Sequence, residues 1–134
     1  MKIAILGSGN VAYHLAKMFK EKNIPISQIF GRNEKDLQEI SEQFEIPFST
    51  TELADAELYF IAVNDDAVAA ISKNIKNQNS LVAHTSGSLP KEILEGNYRK
   101  ASFYPLQTFS KSKMLQYSEI PFFVEAENEA DSQI

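Results

Sequence analysis

Short apolar runs alternate along the chain with longer stretches in which apolar residues return every three or four positions, a pattern that predicts strands and helices in turn. Lys2-Ile3-Ala4-Ile5-Leu6 reads as the first strand. A helix over 10–21 follows, with Val11, Leu15, Met18 and Phe19 at helical spacing and Ala12 and Ala16 as small contacts; Asn23 and Pro25 end it. Ile26–Phe30 predicts a second strand, after which Gly31-Arg32-Asn33 turns into a helix striped by Leu37, Ile40, Ser41 and Phe44. Asn33 is its N-cap, with Asp36 near the positive end. Ile46-Pro47-Phe48 reads as a brief edge strand, because Pro47 has no N–H for a ladder.

Leu58–Val63 is nearly unbroken in its hydrophobicity, as suits a central parallel strand covered on both faces. A helix from about Ala67 to Ile75 is expected next, with Val68, Ile71 and Ile75 inward, then a fifth strand at Leu81–His84 and helical turns at Pro90–Leu94. Ala101–Tyr104 predicts a sixth strand ending at Pro105 and Pro121–Val124 a seventh, with Gln107–Ser118 a polar loop between them. Alternating strands and helices imply a doubly wound α/β fold with right-handed crossovers and a mainly parallel sheet. The expected strand order is 3-2-1-4-5-6, with an extra edge strand.

The 134 residues, 43% hydrophobic, suffice for one core and one domain, 1–134. A formal charge of −5 with scattered basic residues argues against a nucleic-acid or anionic-membrane surface. The absence of cysteine removes disulfides, thiolate metal sites and cysteine nucleophiles, and makes a reducing cytoplasm the simplest location. The first apolar run is too short for a signal peptide, and none reaches membrane-spanning length.

The chemistry concentrates where strands end. Gly7-Ser8-Gly9-Asn10-Val11-Ala12, between a strand and a helix, is the G-x-G-x-x-A turn that cradles a dinucleotide pyrophosphate. Gly7 permits the turn, Gly9 lets phosphates approach the backbone, and Ala12 keeps helix and sheet close. Free N–H groups at the helix start then face the anion. After the second strand, where an NAD site places a carboxylate for the ribose, stand Arg32 and Asn33; an arginine fork there pairs with a 2′-phosphate and favours NADP over NAD.

The fourth strand leads into Val63, Asn64, Asp65 and Asp66, with Asn64 a candidate for the nicotinamide ribose or the pyrophosphate and the two aspartates as caps of the next helix. The fifth ends in His84, Thr85 and Ser86, candidates for the substrate side. No acid pairs with His84 and no base with Ser86, so a hydrolase triad is not supported, and no metal site is expected. His14, on the first helix, reads as a packing or surface residue.

These segments, with Ile61–Ala67, His84–Ser88 and Tyr104-Pro105-Leu106-Gln107-Thr108-Phe109, resemble the Rossmann-like proteins that carry a DUF2520 domain. Those are relatives of the coenzyme-F420-dependent NADP oxidoreductase, pyrroline-5-carboxylate reductase and 6-phosphogluconate dehydrogenase group. The resemblance implies an NADP-binding amino-terminal domain, normally followed by a helical domain that builds a homodimer and closes the site on a small-molecule substrate. That helical domain is expected to be missing here. Some relatives carry His-Pro where this chain has Tyr104-Pro105; Tyr104 is a substrate-side candidate, and with an ordinary pKa of about 10 it donates a proton only with help from neighbours. Two functions follow: an NADP-dependent oxidoreductase moving a hydride to or from a small carbonyl or imine, or a non-catalytic NADP(H)-binding or sensing module.

Overall fold

The computed structural model describes residues 2–86, 89–105 and 122–126, with side chains up to Phe103. Seven strands form one sheet in the order β3-β2-β1-β4-β5-β6-β7. In chain order these are β1 (Ile3–Leu6), α1 (Asn10–Glu21), β2 (Gln28–Phe30), α2 (Glu34–Phe44), β3 (Phe48–Ser49), β4 (Leu58–Ile61), α3 (Asp65–Ser72), β5 (Leu81–His84), a 3₁₀ turn (Lys91–Ile93), β6 (Arg99–Pro105) and β7 (Phe122–Ala126). All neighbours pair in parallel except β6 and β7, which are antiparallel. This is the doubly wound Rossmann-like order expected from the alternation, and the extra edge strand is β7. The predicted loop at Gln107–Ser118 lies outside the described residues.

Strand alternation sorts the core into two layers. Ile3 and Ile5 of β1 pack with Leu15, Phe19, Leu37 and Ile40 of α1 and α2, while Ala4 and Leu6 pack with Val68 and Ile75 on the α3 side. Each central strand is buried along its length, as a parallel strand between two helical layers must be. His14 is 1% exposed and stacks edge-on to Tyr13, which settles it as a packing residue.

Several boundaries move, each for a local reason. Ile46 does not enter the third strand, because its N–H closes α2 on the Ser41 carbonyl after Glu45 turns left-handed at φ 57°. β3 therefore starts at Phe48, and Pro47 contributes only its carbonyl, to the Ile29 N–H at 2.9 Å. α3 begins at Asp65, earlier than expected, because Asn64 takes the N-cap position. It ends at Ser72, where a tighter turn carries Ile75 into the core. No helix among the described residues is long and apolar enough to cross a membrane.

Candidate functional site

Leu6 is the register partner of both Phe30 and Ile61, and Ile61 that of His84, so β2, β1, β4 and β5 end on one line across the sheet. Beyond that line lies a cleft of about 800 Å³, walled by the four turns that leave those strands. That size suits a ligand larger than a simple metabolite.

The middle of the cleft is the turn after β1. Gly7 is buried at φ 132°, and its N–H donates to the Phe30 carbonyl at 2.7 Å. A Cβ on Gly7 would stand 2.1 Å from the Ala62 carbonyl oxygen, so the packing of this turn on β4 itself demands glycine. Gly9 differs. Its φ of −83° suits any residue, and a Cβ there would meet nothing within 4 Å. Nothing among the described residues requires glycine at position 9; the space beside it opens on the cleft.

Gly9 is also the N-cap of α1, with no side chain capping the helix and no acidic residue in its first turn. The first intrahelical bond runs from the Tyr13 N–H to the Gly9 carbonyl at 2.9 Å, so the N–H groups of residues 10–12 lack partners within the helix. With the positive end of the helix dipole, this start fits a phosphate group. Ala12, fully buried, lets α1 approach the sheet closely.

At the β2 end, Arg32 and Asn33 are exposed on the cleft wall beside Asp36. The Asn33 side-chain oxygen accepts from the Asp36 N–H at 3.1 Å and caps α2, while its amide remains a donor. A Cβ at Gly31 would make only an ordinary 3.5 Å contact with Leu37, so the fold does not forbid a side chain there.

At the β4 end, Val63 and the exposed Asn64 line the cleft. Asn64 holds the N-cap position of α3 without a side-chain capping bond, and Asp65 and Asp66 fall in the first turn. The aspartates expected as caps thus sit one position further in, where they oppose the helix dipole as charges. Ala67, Ala70, Ile71 and Asn74 complete this wall. Ala67, Ala70 and Ile71 mark a second face of α3, beside the core face of Val68 and Ser72, Asn74 extends it from the turn that follows, and Ile71 belongs to the cleft as well as to the core margin. Sequence reading missed this face because alanines at helical spacing look the same on a core face as on a ligand wall.

At the β5 end, Thr85 and Ser86 line the cleft and His84 does not. His84 is 0% exposed, expected at the substrate side but held beneath the rim. The Thr85 hydroxyl and N–H both donate to the Ile61 carbonyl at 3.1 Å, tying the rim to β4. Tyr104 stands in β6 opposite Phe123, past the line on which the other strands end. Among the described residues no group of three or more metal-ligating side chains gathers. Two tyrosines whose pKa is raised, Tyr59 and Tyr98, owe it first to burial, and neither lines the cleft.

The family profile described as "NADP oxidoreductase coenzyme F420-dependent" matches residues 2–87. A solved structure from Bacteroides fragilis, described provisionally as an NADP oxidoreductase, is 35% identical with a TM-score of 0.91, covering 98% of this chain and 54% of that one. Two more distant structures share the fold. A Thermotoga maritima protein is 21% identical with a TM-score of 0.73, over 94% of this chain and 49% of its own. A pyrroline-5-carboxylate reductase from Coxiella burnetii is 14% identical with a TM-score of 0.73, over 98% and 52%. The chain spans about half the length of each of these structures. No curated protein matches it.

Proposed function

The chain belongs to the family described as coenzyme F420-dependent NADP oxidoreductases, and from that premise we propose that it is the NADP-binding module of an oxidoreductase acting on a small carbonyl or imine substrate. The observation that carries this reading is the start of α1, where a helix without a side-chain cap meets a glycine whose Cβ position opens on the cleft. Ser8, Gly9, Asn10 and Val11 hold the pyrophosphate, with Gly7 shaping the turn beneath it. Arg32 pairs with a 2′-phosphate, and the Asn33 amide adds a second bond. Val63, Asn64, Thr85 and Ser86 face the nicotinamide half, and Tyr104 stands toward the substrate side. When bound, the nicotinamide would give or take the hydride, and these residues would hold and orient it.

A second reading, a binding or sensing module without chemistry of its own, is favoured by the burial of His84, which removes the one histidine near the rim from contact with a substrate. Cytoplasmic location and assembly into a homodimer accompany the proposal.

Calorimetric titration with NADPH and NADH tests the cofactor. NADPH is expected to bind about tenfold more tightly, the size of one charge-assisted contact. Equal affinities sink the NADP preference, and no binding of either sinks both readings. Turnover of a carbonyl or imine substrate by the protein joined to a helical partner domain separates enzyme from sensor.

A further inference from the structure

His84 closes β5 with its ring wholly buried, and both ring nitrogens are engaged. The Ser86 N–H donates to Nδ1 at 3.1 Å. An Nδ1 that accepts leaves the ring proton on Nε2, which lies 3.0 Å from the Pro90 carbonyl and 3.1 Å from the Ser102 hydroxyl. The imidazole therefore joins three places: the rim at Ser86, the segment entering the 3₁₀ turn at Pro90, and β6 at Ser102. A buried polar ring is costly unless its nitrogens are bonded, and here one of those bonds goes to a residue of the cleft wall.

We infer that His84 is a positioning residue for the nicotinamide half of the cofactor, fixing Ser86 through Nδ1 while Nε2 anchors the ring to Pro90 and Ser102. The inference rests on the NADP reading above. Thr85 is tied to β4 by its two bonds to Ile61, and His84 supplies the corresponding tie one residue further out. A residue with the acceptor alone or the donor alone does half of this. Asparagine can place an acceptor near the Nδ1 position, and glutamine can place a donor near Nε2.

That asymmetry gives the test. His84→Gln, which loses the Nδ1 acceptor, is expected to weaken NADPH binding about tenfold, while adenosine 2′,5′-bisphosphate, which lacks the nicotinamide half, binds within about twofold of the original chain. His84→Asn is expected to keep NADPH within about threefold, with a lower melting temperature because the Nε2 side is lost. Ser102→Ala retains the ring and removes one of its partners; being the mildest change, it keeps the measurement open if either ring variant fails to fold, and should weaken NADPH about threefold without touching the bisphosphate. Nitrogen-15 spectra of the original chain should show an unprotonated Nδ1 coupled to the Ser86 amide.

If His84→Gln binds NADPH like the original, if both ligands weaken together, or if Ser102→Ala leaves NADPH unchanged, the positioning role is overturned. A protonated Nδ1 overturns it too. If the original chain binds neither NADPH nor the bisphosphate, the NADP reading itself fails, a result the nitrogen spectra tell apart from a misplaced ring.

Discussion

Of the three helices that begin on the carboxyl edge of the sheet, α1 and α2 begin in opposite ways. α2 is closed by its own sequence: Asn33 caps it through a side-chain oxygen, and Glu34 and Asp36 place negative charge in its first turn. α1 has neither device, only Gly9 and an exposed asparagine. A glycine at the N-cap costs roughly a few tenths of a kcal/mol relative to a capping asparagine, so α1 forgoes a little stability that α2 takes. Under the proposed function, the difference separates groups that serve the fold from groups that serve the cofactor. It also separates Gly7, which the backbone of Ala62 requires, from Gly9, which nothing among the described residues requires.

The comparison breaks most easily at Gly7. Gly7→Ala is expected to cost about 3 kcal/mol, since it combines a left-handed φ with a Cβ against a carbonyl, and urea denaturation measures it. A loss below about 1 kcal/mol contradicts the account of the turn. Gly9→Asp should do the reverse: NADPH binding falls by about a hundredfold as a carboxylate enters the pyrophosphate cradle, while the same denaturation curve shows stability unchanged or raised by about 1 kcal/mol from the new cap. Loss of both together would mean that position 9 serves the fold after all.

Arg32→Ala sharpens the contrast at the other end of the cleft. NADPH affinity is expected to drop about tenfold and NADH affinity to stay within about twofold, read by titration of both. The smallest effect belongs to Asn33→Ala. It removes the cap of α2 for about 1 kcal/mol of stability and changes NADPH affinity by about threefold or less, because the side chain's oxygen already serves the helix.

The fold was legible because its signal is repetitive: apolar runs for the central strands, stripes for α1 and α2, and a glycine turn where β1 meets α1. Leu81–His84 was readable to the residue because polar groups bound it on both sides. Ile46 was not, since an apolar residue that closes a helix through its N–H looks in sequence like one that starts a strand. Asp65 and Asp66 misled for a similar reason. A run of Asn-Asp-Asp offers three capping residues, and only the backbone angles show that Asn64 holds the position. His84 shows the limit most clearly: its place at a strand end was plain, but whether a ring at that place faces the cleft or lies beneath it depends on Ser102 and Pro90, which the chain supplies much later.

The common line on which Leu6, Phe30, Ile61 and His84 end has a bearing on how such a protein can change. Residues up to the line are bound into the ladder, so an insertion there shifts register and turns core side chains to the wrong face. The first residue past the line on each strand is still bonded to a neighbouring segment, but those beyond it are free of that constraint, and the four segments that touch the cleft can be lengthened or exchanged there one at a time. Selectivity can therefore drift in small independent steps on an unaltered scaffold, with Gly7, pressed against β4, as the segment least open to revision.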